Sequence, residues 1–168
     1  MKLTTMCYIR HNGRILMLHR IKKAVDINQG KWIGVGGKIE PGESPDECIC
    51  REALEETGLT LIQPQLRAVV TFQFLDPEPS LADWDTEYMF VYTCDTFSGT
   101  LLEDCDEGVL VWIPETELDA LPQWEGDRLF SKPILAGEPF FSMKLTYRGD
   151  TLLWHQKFGE EPVSCRET

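Results

Sequence analysis

Apolar residues alternate or run together in short segments along the chain, and the first two segments form a hairpin pattern. Residues 3–9 and 14–19 carry these segments on either side of an Asn-Gly pair, which is typical of a two-residue hairpin turn. Residues 20–31 are polar and irregular, so we expect a loop there. Residues 32–37 are rich in glycine and predict a short strand that approaches a neighbouring backbone closely.

The clearest helix prediction comes from signals at both ends of residues 45–57. Ser44 suits the N-cap and Pro45 the first helical position, while Glu47 completes a capping box. Gly58 suits the residue that ends a helix in a left-handed conformation. We therefore expect one uninterrupted helix between Ser44 and Gly58.

The rest of the pattern predicts further strands and short helices. Three more segments have the apolar content of strands: 65–75, 86–94 and 108–113. The Pro- and Asp-rich stretch 76–85 separates the first two of them and predicts a loop. We expect a short helical turn at 114–121 and a second helix at about 126–136, in which Pro133 makes a kink or an early stop. A last hairpin is expected at 140–158.

The composition is that of a single globular domain with an acidic surface. A chain of 168 residues predicts one domain, for which we expect the bounds 1–158, followed by a flexible tail at 159–168. The formal net charge of −12 repels phosphate backbones, so we do not expect binding to a nucleic acid polymer. A small polyanionic substrate is still compatible with this charge if a metal ion neutralises it locally.

Neither the apolar pattern nor the cysteines indicate a membrane or an oxidising compartment. No apolar run reaches the roughly 18 residues of a membrane span, and the N-terminal segment lacks the pattern of a signal peptide. The six cysteines include no Cys-x-x-Cys pair, which argues against a zinc site or a disulfide framework. We therefore expect a cytoplasmic protein without a membrane partner, present as a monomer or a homodimer.

Three glutamates crowd the last two turns of the predicted helix. At 100° per residue, Glu52, Glu55 and Glu56 share an arc of about 100°. Two carboxylates about 5 Å apart repel by roughly 3 kcal/mol at an effective dielectric of 20, and the negative end of the helix dipole adds to this cost. A cluster of hard oxygen ligands favours Mg²⁺ or Mn²⁺ over zinc. The competing interpretation is a plain solvated acidic face.

The segment from Gly37 to Leu59 resembles the Nudix box, GX5EX7REUXEEXGU, at all of its fixed positions. The resemblance implies a Nudix fold of the α/β class, a mixed β-sheet sandwiched between helices in α/β/α layers. It implies that Mg²⁺, or Mn²⁺ in its place, is held by the Gly37 carbonyl and by Glu52, Glu55 and Glu56. It also implies that Glu43 pairs with Arg51 and orients the loop against the helix.

Beyond the box, the chain is similar to the MutT-type branch of the Nudix hydrolases. That similarity implies hydrolysis of a nucleoside triphosphate, such as 8-oxo-dGTP, to the monophosphate and pyrophosphate, which removes oxidised purine nucleotides. Glu107 is implied as an extra metal ligand or general base, and Lys23 and Lys38 as phosphate contacts. The implied base site draws on six residues: Ile33, Phe72, Phe74, Trp124, Glu125 and Asp127.

Two alternatives stay open at this point. The first is a Nudix hydrolase of another substrate, such as a nucleotide sugar, a dinucleoside polyphosphate or an undamaged nucleoside triphosphate. The second is a non-catalytic Nudix module that senses a nucleotide, although a module without catalysis would have no need of every acidic residue in the box.

Overall fold

The computed structural model describes residues 1–23, 25–76, 85–103 and 105–166, so most of the predicted loop at 76–85 lies outside the described residues. Its elements follow one another along the chain as β1 (Lys2–His11), β2 (Arg14–Arg20), β3 (Trp32–Ile33), α1 (Pro45–Thr57), β4 (Leu59–Leu61), β5 (Gln65–Leu75), β6 (Thr86–Cys94), β7 (Phe97–Gly99), β8 (Gly108–Pro114), a 3₁₀ helix (Glu115–Ala120), α2 (Asp127–Leu135), β9 (Phe141–Arg148), β10 (Thr151–Lys157) and β11 (Val163–Ser164).

Within the described ranges, nine strands form one mixed sheet. Eight of them follow the order β11-β10-β9-β5-β6-β1-β2-β3, and β8 pairs in addition with β2. The β1–β6 and β5–β9 pairs are parallel, whereas the other pairs of this sheet are antiparallel. Strands β4 and β7 form a separate two-stranded sheet. The described residues include no helix with the length and apolar character needed to cross a membrane.

The two faces of the large sheet are covered by different helices. Because side chains alternate along a strand, Cys7 and Ile9 of β1 join a core that contains Ile49 of α1. Met6 and Tyr8 point to the opposite face and join a core that contains residues of α2. The mixed sheet therefore lies between helices, which confirms the predicted α/β/α fold class.

Helix α1 has the predicted bounds because its caps form as the sequence indicates. The Ser44 hydroxyl accepts a hydrogen bond from the Glu47 backbone N–H, and the Glu47 carboxylate accepts one from the Ser44 N–H, which completes a capping box. Gly58 lies in the left-handed region at φ 74° and donates its N–H to the Leu54 carbonyl at 2.9 Å. Local chemistry at both ends thus sets the length of the helix.

The glycine-rich segment departs from its prediction as a continuous strand at 32–37. Only Trp32–Ile33 forms a strand, and the residues after it run beside β1 through isolated bridges. Val35 exchanges two backbone hydrogen bonds with Cys7, and the Gly37 carbonyl accepts the Thr5 N–H at 2.8 Å. This segment therefore holds the start of the acidic box against the middle of the sheet.

The short strands at the edges of the fold and the tail differ from their predictions, whereas the second helix agrees with its prediction. Sequence patterns did not indicate the short strands β4, β7 and β11, whose pairing depends on contacts distant in the chain. Helix α2 covers Asp127–Leu135 and contains Pro133 near its end, within the range predicted for it. Part of the segment expected to be a tail, Val163–Ser164, pairs with β10.

We predict that Gly36→Ala destabilises the fold by about 3 kcal/mol, because the added methyl group would overlap the backbone carbonyl of Thr5. Gly34→Ala is the matched control. Its methyl group would meet Met6 Cγ at 2.8 Å, which can move aside, and the Cys7 carbonyl oxygen at 3.0 Å, a much milder overlap than the one at Gly36, so we expect a loss of about 1 kcal/mol. Urea unfolding of both variants would measure the difference, and equal losses would contradict this account.

Candidate active site

A cavity of about 350 Å³ opens between the end of α1 and the face of the sheet that α2 covers. Two sets of side chains line it. The first set comes from the end of β2, the glycine-rich segment, α1 and the segment before β8: Arg20, Gly36, Gly37, Lys38, Glu52, Glu56 and Glu107. The second set is largely aromatic and apolar: Asn28, Ile33, Phe72, Phe74, Glu87, Met89, Trp124, Asp127 and Tyr147.

Arg51 is the cation around which the acidic residues of the box are arranged. Its Nε and Nη2 donate to the two carboxylate oxygens of Glu43 at 2.8 and 2.9 Å, a bidentate pair. This hydrogen bonding from Arg51 lowers the pKa of Glu43 to about 2. Arg51 also donates to the Lys38 carbonyl at 3.2 Å. The arginine thus ties the loop before α1 to the body of the helix.

Glu52 and Glu55 share the remaining donor capacity of Arg51. Arg51 Nη1 donates to Glu52 Oε1 at 2.9 Å and to Glu55 Oε2 at 3.2 Å. Burial raises the pKa of Glu52, and the charges of Glu55 and Glu107 raise it further. A methyl group at Gly37 would overlap the Glu52 carboxylate, so this carboxylate lies directly against the backbone. Glu55, in contrast, has a side chain that is 60% exposed.

Glu56 is the most deeply buried acid of the helix, with only 8% of its surface exposed. Its Oε2 accepts a hydrogen bond from the Gly36 N–H at 3.0 Å. Burial raises the pKa of Glu56 to about 8, and the charges of Glu107 and Glu52 contribute to the increase. Without an added cation, the glutamates of this site therefore compete for too little positive charge.

Glu107 lies in the same cavity, although it is distant in sequence from the box. One of its carboxylate oxygens pairs with Arg20 and the other with Lys23. Arg20 is held in turn by Asp26, whose Oδ2 accepts from Nε at 2.6 Å. The structure therefore brings Glu107 to the glutamates of α1, whereas Lys23 pairs with Glu107 but is not among the described residues that line the cavity.

The donor set fits a hard divalent cation by its chemistry. Carboxylate and carbonyl oxygens are the ligands that such ions prefer, and a cation would favour the ionised forms of Glu52 and Glu56, which burial disfavours. As they stand, the described side chains include no group of three acidic, His or Cys residues set closely enough to hold one ion. Ion binding would therefore require a carboxylate such as Glu52 to turn away from Arg51.

Aromatic side chains form the other end of the cavity. Phe72, Phe74 and Tyr147 stack side by side, with ring centroids 5.9 Å apart between Phe74 and Tyr147. Trp124 meets Tyr147 edge to face at 5.6 Å and donates its indole N–H to the Asn28 side-chain oxygen at 2.8 Å. Such a recess suits a flat aromatic ligand.

The start of α2 separates two acids that the sequence places together. Asp127, the first residue of the helix, is buried and lines the cavity, and burial raises its pKa to about 7. Glu125 instead points outward, is paired with Arg166 at 2.9 Å and is not among the described residues that line the cavity. Asp127 is therefore the better placed of the two to meet a ligand.

Sequence reasoning did not select several polar residues of the cavity. Arg20 and Asn28 come from a segment that was predicted only as an irregular loop. Glu87 comes from β6, where it faces inward with Met89 and lies beside Phe72 in the sheet register. The alternation of β6 could have indicated Glu87, because an acid at an inward-facing position of a largely apolar strand is costly unless it binds a partner or a ligand.

Comparison with known proteins gives concordant matches. The NUDIX domain family matches residues 2–132. The chain is 30% identical over 143 residues to a Nudix hydrolase of undetermined activity, YvcI from Bacillus subtilis, with 85% of each chain covered. It is 28% identical over 159 residues to an oxidized purine nucleoside triphosphate hydrolase from Danio rerio, with 95% of each covered. A crystal structure of a MutT protein from Bacillus halodurans superposes with a TM-score of 0.83 at 26% identity, covering 96% of this chain and 100% of the other.

We predict that Glu56→Gln stabilises the metal-free protein at alkaline pH. Because the folded protein holds the Glu56 proton more tightly than the unfolded chain, this group lowers stability as pH rises from its ordinary pKa of 4.5 to about 8. Glutamine can still accept from the Gly36 N–H but carries no charge. The difference between 4.5 and about 8 corresponds to a gain of up to about 4 kcal/mol at pH 8, or about 8–16 °C in Tm, and the gain should vanish near pH 4.

The control is Glu55→Gln, which removes an exposed acid from the same helix and should change stability by no more than about 0.5 kcal/mol. Thermal unfolding in the presence of a chelator at both pH values measures the two effects. A loss of stability in Glu56→Gln at pH 8 would show that ionisation of the buried Glu56 carboxylate does not destabilise the fold.

Proposed function

The chain belongs to the Nudix hydrolase superfamily, as a MutT-type protein, and on that premise we propose that it hydrolyses oxidised purine nucleoside triphosphates such as 8-oxo-dGTP, with Mg²⁺ or Mn²⁺ as cofactor. The products of the proposed reaction are the nucleoside monophosphate and pyrophosphate. The observation that carries this proposal is the single cavity that joins clustered glutamates to an aromatic recess. Its two ends match the triphosphate and the base of one nucleotide.

The roles proposed for the acidic end follow from its contacts. A divalent cation there would offset the charge of the phosphates and polarise water. Glu52, Glu55 and Glu56 would hold it together with the Gly37 carbonyl, which accepts the Thr5 N–H at 2.8 Å and a weak hydrogen bond from the Cys48 thiol at 3.9 Å. Lys38 lines the cavity and is proposed as a phosphate contact.

Arg51 and Glu43 are proposed as positioning residues and Glu107 as the general base. The Arg51–Glu43 pair fixes the loop that carries Gly37 relative to the helix that carries the carboxylates. Glu107 would accept a proton as water attacks phosphorus and the bridging phosphorus–oxygen bond breaks. Its pairs with Arg20 and Lys23 hold it at the cavity. Lys23 is proposed as a phosphate contact.

The aromatic end is proposed to hold the oxidised base. Phe72, Phe74 and Trp124 line this end of the cavity with aromatic rings, and Ile33 adds an apolar contact without a hydrogen bond. Asp127 lines the same recess, and burial raises its pKa to about 7, which favours the protonated form relative to an exposed aspartate. A protonated carboxyl group can donate to a base acceptor that a carboxylate would repel. A relative named as an oxidized purine nucleoside triphosphate hydrolase supports this substrate class.

We expect a substrate panel with Mg²⁺ or Mn²⁺ to show release of pyrophosphate from 8-oxo-dGTP. Its kcat/KM should exceed those of dGTP, ADP-ribose and diadenosine tetraphosphate by at least about tenfold, since the aromatic recess and Asp127 would act on the base. Glu56→Gln should lose at least about a hundredfold in activity. Chromatography of the nucleotide products would decide between the substrates, and faster cleavage of ADP-ribose or a dinucleoside polyphosphate would contradict the proposal.

We expect kcat/KM for 8-oxo-dGTP to fall as pH rises through about 7, because Asp127 then loses the proton that it would donate to the base. Asp127→Asn keeps a donor of similar size that does not titrate, so this decline should be flattened. The ratio of wild-type to variant kcat/KM between about pH 6 and about pH 8.5 removes the contribution of the other titrating groups. A constant ratio would exclude a proton on Asp127 from base recognition.

A further inference from the structure

Glu87 is an acid on the sheet face that forms the base end of the cavity. In the register of the sheet it lies beside Phe72 of β5 on one side and Lys2 of β1 on the other. Because side chains alternate along β6, Glu87 points to the same face as Met89, and all four residues line the cavity. Its carboxylate therefore belongs to the surface on which the base is proposed to lie.

Two described residues hold the carboxylate in place, and they do not use all of its hydrogen-bond acceptor positions. Thr4 Oγ1 donates to Glu87 Oε1 at 2.5 Å, and Lys2 Nζ lies 4.0 Å from Oε2. The side chain is only 15% exposed. A carboxylate offers about four acceptor positions, so each oxygen keeps room for a donor from a ligand.

Glu87 lies in the same part of the cavity wall as Asp127 and affects its charge state. Both residues line the cavity, and the charge of Glu87 contributes to the raised pKa of Asp127. The stacked rings of Phe72, Phe74 and Tyr147 lie in the same recess. A flat ligand seated on these rings would present its edge to one or both acids.

We propose that Glu87 is a specificity-determining residue that selects guanine-type bases by accepting hydrogen bonds from their ring N–H and amino groups. The proposal rests on the proposed function and extends it to a residue outside the acidic box. Guanine presents two adjacent donors, N1–H and N2–H, which match the two oxygens of one carboxylate. Adenine and cytosine each place an acceptor beside their amino group, and that acceptor would face the second carboxylate oxygen.

The proposed contact is independent of oxidation at C8. The N1–H and N2–H donors are present in guanine and in 8-oxoguanine alike, so Glu87 would select the guanine edge without sensing the lesion. Hypoxanthine keeps N1–H but lacks the amino group. A comparison of dGTP with dITP therefore isolates the contact, and a comparison of 8-oxo-dGTP with dGTP serves as an internal reference.

The test measures kcat/KM for dGTP, dITP and 8-oxo-dGTP in the wild type and in three variants. Glu87→Gln replaces one acceptor oxygen by a donor at similar volume and should reduce the dGTP/dITP ratio at least about tenfold. Thr4→Val removes the hydroxyl that holds Glu87 and should reduce the ratio in the same direction by about threefold. Glu138→Gln, which breaks a similar lysine pair with Lys157 away from the cavity, should leave the ratio unchanged.

The outcomes separate this proposal from the function on which it rests. A reduced dGTP/dITP ratio with an unchanged 8-oxo-dGTP/dGTP ratio supports it. Equal losses of activity on all three substrates in Glu87→Gln and Thr4→Val would show a structural role only and overturn it. Hydrolysis by the wild type with a ratio that neither variant alters also overturns it and leaves the proposed function standing. A wild type that cleaves none of the three triphosphates overturns both.

Discussion

Repulsion between carboxylates is the constraint on which the active-site region depends. Glu52, Glu56 and Glu107 line one cavity, and each of the first two has a pKa raised by burial and by its acidic neighbours. Arg51 relieves only part of this repulsion, because its strongest hydrogen bonds go to Glu43. The fold tolerates the remainder since both ends of α1 are capped and its inner face is buried in the core. A divalent cation would supply the missing positive charge, which links the acidic helix to metal-dependent chemistry.

The glycine-rich segment connects the two ends of the cavity. It follows β1 through backbone hydrogen bonds, so Gly36 and Gly37 lie against the strand that also carries Thr4 of the base end. At Gly36 a side chain would overlap that strand, and at Gly37 it would overlap Glu52. The distance between the phosphate and base ends is therefore set by the sheet itself and not by a loop. A rigid spacing of this kind favours a nucleotide whose base and phosphates are both engaged.

Local signals predicted most helices and long strands, and the resemblance to the Nudix box implied the fold class. Contacts distant in the chain account for the elements that local signals missed. Helix α1 has the predicted bounds because Ser44 and Gly58 act within a few residues of themselves. Strands β4 and β7 are three residues each, and only their pairing with one another makes them strands. In the candidate site, the resemblance to the Nudix box predicted the pair of Arg51 with Glu43, whereas no local pattern shows that Asp127 turns inward and Glu125 outward. That difference arises because α2 begins at Asp127, and its register decides which acid is buried.

Three acids of the cavity, Glu56, Asp127 and Glu87, have different surroundings, and this difference is consistent with separate roles in metal chemistry and base recognition. Glu56 has one backbone donor and a pKa of about 8, so a cation would convert it to the ionised form. Asp127 draws its raised pKa mainly from burial, and the nearby charges of Lys31 and Arg128 reduce that increase without cancelling it. Glu87 keeps a hydroxyl donor in Thr4. A metal ion held at α1 would act directly on Glu56, because Glu56 is one of its proposed ligands and its pKa is already raised by burial and by acidic neighbours. In the proposed roles, Asp127 donates a proton beside the acceptor Glu87, while a cation keeps the glutamates of α1 ionised. One cavity would then bind both the base and the metal-bound phosphates at the same pH.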